Sequence, residues 1–438
     1  MRIYVPVAYK LLFAMALAFG WLGFSVWLAW PWIQDLSRVF TPFGAWFMIL
    51  GVALLPGMAS AFVVVSLILD RRPIYKSHHV LPGVSILIAA YNEALDIEKT
   101  IESILVQVYP GEVEVLVIDD ASTDNTAALV DHLAASGNYS GNFKIKLISA
   151  SNNEGKSAAL NLGLAQAGHD YIITVDGDTY LFKDALANLV INLVDGPPKT
   201  GAVAGTVLVR NSRKSLITRL QEWDYFLGIA VVKRTQSLYQ GTLVAQGAFS
   251  IYRREVLEEL GGWPNTMGED IVLTWGIARN GWRVSYAENA FVFTNVPENY
   301  SAYFRQRRRW ARGLIEAFKM YPDAIYVPRL NTPFVYFNLM FPYIDFSYLF
   351  IFFPGIICAL FFQWYALVGV MTLLLLPLAT LCNALMYYHQ RSIFKLYGLK
   401  IRKNILGMLI YSLFYQLYLT PASLAGYLSE LLRQKRSW

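Results

Sequence analysis

Acidic residues stand in three short clusters along the middle of the chain, and their placement suits chemistry better than a solvated surface. Tyr91-Asn92-Glu93, Asp119-Asp120 with Asp124, and Asp176-Gly177-Asp178 each follow directly on an apolar, β-branched run. Hard carboxylate oxygens favour Mg²⁺ or Mn²⁺, ions that share their shell with phosphates, and the small residue between Asp176 and Asp178 lets both carboxylates approach one point. A nucleotide diphosphate is the natural third partner of such a pair. Taken alone, Asp-Gly-Asp also reads as a loop turn, and Ser122, Thr123 or Asp124 as a cap for the helix starting near Asn125. Capping does not explain three clusters at successive strand ends. In Asn153-Glu154-Gly155-Lys156 the glycine permits a turn and Lys156 meets an anion at a helix start; a solvated lysine is the competing reading. The spacing is not that of a Walker loop.

The elements that must position these residues are short. Runs at 84–89, 113–119, 145–149 and 171–175 alternate with helical patterns such as 97–106 and 126–133, the signature of a parallel, Rossmann-like α/β sheet. Such sheets collect ligands outside the carboxyl ends of their strands, where the acidic clusters stand.

The rest of the chain lives in another solvent. Of 438 residues 55% are hydrophobic and only 16% charged, with a mean hydropathy of +0.39; the apolar excess sits at the two ends, while about 71–323 has a soluble composition. Uncharged stretches at 11–33 and 43–69, then at 346–362, 365–386 and 404–429, are long enough to cross a bilayer. The first is too long, and too bulky at Trp30-Pro31-Trp32, for a cleaved signal peptide. Arg71, Arg72 and Lys76, and the basic loop from Arg391 to Lys403, place the central domain in the cytoplasm. Five crossings put Arg433, Lys435 and Arg436 outside, against the same rule, so the side of the C-terminus stays open. Cys358 and Cys382 fall in the apolar helices and read as packing residues. The net charge of +6 fits a cytoplasmic basic surface on anionic lipid, and no nucleic-acid-binding signature is present.

The ordered set Tyr91-Asn92-Glu93, Val117-Ile118-Asp119-Asp120-Ala121-Ser122-Thr123-Asp124, Asn153 to Lys156, Asp176-Gly177-Asp178, Gly268-Glu269-Asp270 and Gln306-Arg307-Arg308-Arg309-Trp310 resembles the processive family-2 glycosyltransferases. The nearest pattern is that of bacterial poly-β-1,6-N-acetylglucosamine synthases, with hyaluronan and chitin-oligosaccharide synthases as near relatives. The resemblance spans about 84–313 and implies a cytoplasmic GT-A domain (73–325) between two transmembrane helices (1–72) and about three more (326–438) that form part of a polymer channel in the bacterial plasma (inner) membrane. It further implies a UDP-sugar donor held by Tyr91, Glu93, Asp120, Lys156, Asp176 and Arg309, with Mg²⁺ or Mn²⁺ on Asp178. Asp270 would be the general base, with Glu269 structural or assisting. Gln306 and Trp310 would meet the growing polysaccharide acceptor. Arg307 and Arg308 are expected to be spacing or membrane-surface charges.

The implied reaction is inverting, metal-dependent polymerisation of UDP-N-acetylglucosamine with translocation of the product, in contact with membrane lipid and with a small membrane subunit as a conceivable partner. Hyaluronan, chitin-oligosaccharide and glucan synthesis share most of these motifs. A non-processive transferase acting on a lipid carrier is the second reading, against which Gln-x-x-Arg-Trp counts. A transporter or scaffold that only binds nucleotide-sugar is the third, against which the full acidic set counts. Three features stay open: Trp263 as sugar binder or core residue, 216–227 as an interface helix anchored by Trp223 and Tyr225, and Asp345 as part of a polar path or as a helix-end residue.

Overall fold

A computed structural model describes residues 5–70, 80–137, 142–368, 370–399 and 404–435. Arg71, Arg72, Lys76, Lys400, Arg402, Lys403 and Arg436, which carried part of the orientation argument, lie outside them. The middle of the chain forms one eight-stranded sheet: β1 (Val84–Ala90), β2 (Val113–Asp119), β3 (Phe143–Ser149), β4 (Tyr171–Val175), β5 (Tyr180–Leu181), β6 (Thr200–Val209), β7 (Phe249–Arg253) and β8 (Arg283–Thr294). Their order is β3-β2-β1-β4-β7-β6-β8-β5. The expected parallel arrangement holds for β3-β2-β1-β4. Beyond them β7 runs antiparallel to both β4 and β6, so the sheet as a whole is mixed.

Period-two alternation fills both faces of the sheet. Ile86 and Ile88 of β1 and Val115 and Val117 of β2 join helices Ile97–Leu105 and Ala185–Val194 in one core. Leu87, Leu116 and Ile118 point the other way, into a second core with Leu160, Leu164, Leu273 and Ile277. All ten residues of β6 are buried, which is why that strand shows no alternation in the sequence.

Among the described residues four helices are long and apolar enough to cross a membrane: Val7–Val39, Pro42–Leu69, Thr332–Phe362 and Ile405–Leu431. The expected crossing at 365–386 falls on a fifth helix, Val370–Leu396. The third span begins earlier than the uncharged stretch does, so Asp345 lies inside a helix and not at its end. There it is buried and accepts a hydrogen bond from the Tyr427 hydroxyl at 3.0 Å, which ties the third span to the last. Phe62, Tyr239, Trp275, Leu314, Phe334 and Tyr427 share one apolar cluster, so the membrane helices and the sheet domain are packed as one body.

Helix Leu216–Trp223 runs on through a π-helical segment, Asp224–Val231, into Val232–Leu238. Trp223 and Tyr225 are buried rather than interfacial: the Trp223 indole N–H donates to Asn404 O at 2.9 Å, so a protein carbonyl takes the place expected for a headgroup. Trp263 is a core residue, 3% exposed and edge-on to Tyr252.

Helix Tyr300–Met320 carries the basic motif, and it lies against protein on the face expected to meet lipid. Arg308 donates to Ser429, Arg312 pairs with Glu430 at 2.9 Å, and Lys319 reaches the same carboxylate, all on helix Ile405–Leu431. At Gly313 this helix meets the loop before Glu269 so closely that a Cβ added there would stand 2.6 Å from the Gly268 Cα. Neither backbone can retreat without unpacking a helix. Gly313→Val is therefore expected to cost about 1–3 kcal/mol of stability and to displace Glu269 and Asp270; a thermal melt beside wild type checks it, and an unchanged Tm would show that the two backbones are free to part.

Candidate active site

The loops after β1 and β2 are stitched to each other before either meets a ligand. Asn92 (φ 58°) and Ala121 (φ 57°) both adopt left-handed backbone, which asparagine tolerates and alanine adopts at a cost. Asn92 N–H donates to Ser122 Oγ at 3.0 Å, Thr123 N–H to Asn92 Oδ1 at 2.8 Å, and Glu93 N–H to Thr126 Oγ1 at 2.9 Å. Asp124 takes the capping role, accepting from Thr126 N–H at 3.0 Å and from Ala94 N–H at 3.2 Å. Asp120 is buried, with its oxygens on the N–H groups of Glu154 (3.0 Å) and Gly155 (2.9 Å). It thereby sets the loop that delivers Lys156 to the first turn of helix Lys156–Gln166. Tyr91 is 47% exposed at the mouth of these loops.

Asp176, Gly177 and Asp178 follow β4. Gly177 is required by close approach: a Cβ there would come 2.8 Å from Glu93 Cγ. Glu93 and Asp178 consequently share one small region. Burial, then the charges of Asp178 and Asp176, push Glu93 up to about 7; burial and Asp176 push Asp178 up to about 6, although Thr294 Oγ1 donates to it at 3.0 Å. Carboxylates raised in this way make the fold hold protons that the unfolded chain has released. Stability in the absence of ligand therefore falls as pH rises from about 4.5 to about 7. Glu93→Gln is expected to raise Tm by several degrees at pH 7.5 and by little at pH 5; an equal shift at both would remove Glu93 from this role.

Lys156 bridges the two halves of the site. Its ammonium is ion-paired to Asp176 and stands 3.9 Å from Glu269 Oε1. Burial opposes its charge, but the two carboxylates outweigh it and hold Lys156 up at about 12. Glu269 and Asp270 open helix Glu269–Arg279. Burial drives Glu269 up to about 7, against the pull of Lys156 and Arg309. Asp270 Oδ1 accepts the N–H of Ile271 at 2.8 Å. The preceding turn is clamped by Glu316, buried on helix Tyr300–Met320, whose Oε2 accepts from Met267 N–H (2.7 Å) and Gly268 N–H (3.2 Å).

From the basic motif, Arg309 is exposed and its charge is felt at both Lys156 and Glu269. Trp310 is 38% exposed, with the Tyr225 ring 6.3 Å away; the Tyr225 hydroxyl in turn feels Asp176 and Asp178. Gln306 Oε1 is buried with no hydrogen-bond partner among the described residues. Arg307 departs from expectation. It is a buried cation paired with Asp224 at 2.6 Å, because the helix turns that position inward toward the π-helical segment. Glu93, Lys156, Asp176, Asp178, Glu269 and Arg309 thus form one electrostatically continuous edge, with Asp120 behind it and Trp310 beside it across Tyr225.

Several contributors were not singled out from the sequence. Asp96 accepts from Tyr180 (2.6 Å), Arg210 (2.9 Å) and Asn295 (3.0 Å), closing the edge beyond Glu93; its only signal was its place three residues after Glu93. Gly247 leaves room for Lys156, since a Cβ there would lie 2.7 Å from Nζ. Glu316 was visible only as an acid in a basic helix.

Asp176 and Asp178 supply the hard oxygens a divalent cation takes. Among the described residues no three acidic, His or Cys side chains converge to hold one unaided, so a cation here would complete its shell with phosphate oxygens and water.

Residues 85–261 match the family described as Glycosyl transferase family 2. The chain is 32% identical over 246 residues to a poly-beta-1,6-N-acetyl-D-glucosamine synthase of Staphylococcus epidermidis, covering 56% of this chain and 58% of that one. A synthase of the same name from Staphylococcus aureus is 32% identical over 234 residues, 53% of this chain and 55% of the other. The matches thus span just over half the length of these relatives. Among solved structures, a mannosyltransferase from Pyrobaculum calidifontis in complex with GDP-Man and Mn²⁺ superposes with a TM-score of 0.57 over 98% of this chain and 100% of its own, at 21% identity. That likeness concerns the fold: a GT-A-like mixed α/β domain flanked by apolar helices.

Proposed function

We propose, from the match of residues 85–261 to the family-2 glycosyl transferases, that this protein is an inverting, processive synthase that polymerises a β-linked N-acetylglucosamine chain from UDP-N-acetylglucosamine. The observation that carries the proposal is the Lys156 bridge: one ammonium contacts Asp176 at the strand edge and approaches Glu269 of the Glu-Asp pair, so a donor site and a transfer site are contiguous.

In this reading Tyr91, Glu93 and Asp120 with its loop hold the uridine part, and Lys156, Asp176 and Arg309 face the diphosphate. A Mg²⁺ or Mn²⁺ ion on Asp178, when bound, would neutralise charge on the departing UDP. Asp270 accepts the proton of the acceptor hydroxyl as that oxygen attacks the anomeric carbon from the face opposite UDP, and the configuration inverts in one displacement. Lys156 and Arg309 balance the negative charge that develops on the leaving group. Trp310 offers a ring face to the acceptor sugar, and Gln306, one turn before it on the same helix, is assigned to the same acceptor.

Orientation and translocation belong to the same proposal: the catalytic domain faces the cytoplasm of a bacterial inner membrane, and the apolar helices, with membrane lipid around them, pass the polymer outward. The 32% identity to synthases of that name supports the sugar and the β-1,6 linkage over the hyaluronan, chitin-oligosaccharide, glucan and lipid-carrier alternatives. UDP release by the purified protein across UDP-N-acetylglucosamine, UDP-glucose and UDP-glucuronate tests the donor. Release with the first alone is expected; equal release with UDP-glucose, or a requirement for two donors, would overturn the assignment.

A further inference from the structure

We propose that Asp224 and Arg307 are a positioning pair that fixes the ring of Trp310 for the acceptor sugar. The inference rests on the reading of Trp310 as the acceptor platform and adds to it the residues that hold the platform in place.

Arg307 is 5% exposed, and its guanidinium does two things at once. One nitrogen pairs with Asp224 Oδ2 at 2.6 Å, while the central carbon stands 4.2 Å from the centre of the Trp310 ring and 5.1 Å from that of Tyr303. The indole is therefore backed by a desolvated cation on one side, and 38% of Trp310 remains open. A free tryptophan on a helix surface samples several rotamers; one stacked on a buried guanidinium does not. Only a planar cation serves, because the same group must stack and pair.

Asp224 is built for this contact. It opens the π-helical segment Asp224–Val231, a local widening that is frequent at functional sites. Gly228, one turn on, leaves the room: a Cβ there would come 2.8 Å from Asp224 Oδ1 and 3.3 Å from the Tyr411 hydroxyl. Tyr303 is held in turn by Tyr415, hydroxyl to hydroxyl at 3.0 Å. The pair thus sits where the π-helical segment, the basic helix and the last membrane span meet. A salt bridge so buried is a weak source of stability, so the role assigned to it here is geometric.

The test uses the full chain in detergent. Emission of Trp310 is isolated as the difference between each protein and its Trp310→Phe counterpart, and binding of a β-1,6-linked N-acetylglucosamine pentasaccharide and of UDP is measured by calorimetry. Arg307→Met alone leaves Asp224 buried without its partner and is prone to misfold, so the decisive variant is Arg307→Met with Asp224→Leu, which removes both charges. Its Trp310 is expected to become about twofold more accessible to acrylamide, and its pentasaccharide Kd to rise about tenfold, with UDP affinity within twofold of wild type. Arg307→Lys, which keeps charge but not the plane, should fall between. Unchanged quenching and pentasaccharide affinity in the folded double variant would overturn the proposal, as would a parallel loss of UDP affinity. If wild type fails to bind the pentasaccharide, the acceptor reading of Trp310 fails, and the quenching comparison still decides whether the pair positions the ring.

Discussion

Asp270→Asn is expected to lower the rate of sugar transfer by about 10²–10⁴-fold, the range over which a positioned general base accelerates a reaction, while UDP affinity stays within twofold. The asparagine side chain has the same shape, and its carbonyl oxygen can keep the 2.8 Å contact with Ile271 N–H. What it loses is the ability to take the acceptor's proton. The structure makes this substitution informative because the surroundings of Asp270 are held independently of its charge: Glu316 clamps the N–H groups of Met267 and Gly268, and Gly268 abuts Gly313 backbone to backbone. The fold should therefore survive. Initial rates of UDP release, with UDP affinity measured separately, check the prediction; transfer within a few-fold of wild type would remove Asp270 from the role of base and turn attention to Glu269, its neighbour on the same helix turn.

Asp178→Asn should weaken cation-dependent UDP binding by about a hundredfold, the upper part of the range seen when groups supporting a bound metal are removed, and EDTA should reproduce the loss in wild type. Asp178 is half-buried, and burial and the charge of Asp176 raise it to about 6, so Lys156 and Thr294 do not fully offset the cost of its charge. A divalent cation with its phosphates would supply a further counterion. Thr294 can donate to an asparagine oxygen as it does to the carboxylate at 3.0 Å, so the loop is expected to keep its shape. Calorimetry with UDP and Mn²⁺, with and without chelator, reads the effect. UDP binding that is indifferent to both the variant and the chelator would place charge neutralisation on Lys156 and Arg309 alone.

The legible part of this molecule was the part written in period two and in punctuation. β1 to β4 announce themselves through alternating β-branched residues, and their ends through acids, glycine and asparagine, so the parallel half of the sheet and the edge it presents could be read directly. The other half could not, because β6 is buried along its whole length and therefore carries no alternation. Helix pattern gave the place of the basic motif but not its facing. From spacing alone Arg307, Arg308 and Arg312 resemble a lipid-seeking stripe; only tertiary packing shows that Asp224 takes the first, Ser429 the second and Glu430 the third. Trp223 and Tyr225 are not the interface anchors that the sequence suggested, and Trp263 stayed open between sugar binder and core residue, for a related reason. An aromatic ring suits a membrane interface, a sugar and a protein core equally, and nothing local says which neighbour arrives. Glu316 and Asp96 act through backbone groups and side chains distant in sequence, and such partners leave no mark at a fixed offset.

In the proposed function the donor edge and the Glu-Asp pair build a long β-1,6-linked chain. The measurement that meets it most directly is the size and periodate sensitivity of the product made by the purified protein from UDP-N-acetylglucosamine with Mn²⁺. A 1,6-linked residue keeps free hydroxyls on adjacent carbons 3 and 4, which periodate cleaves, whereas 1,4- and 1,3-linked N-acetylglucosamine has no such pair. A polymer of high mass that periodate fragments is expected. A single sugar on a lipid, or a long chain that resists periodate, would contradict the proposal, the first in its processivity and the second in its linkage.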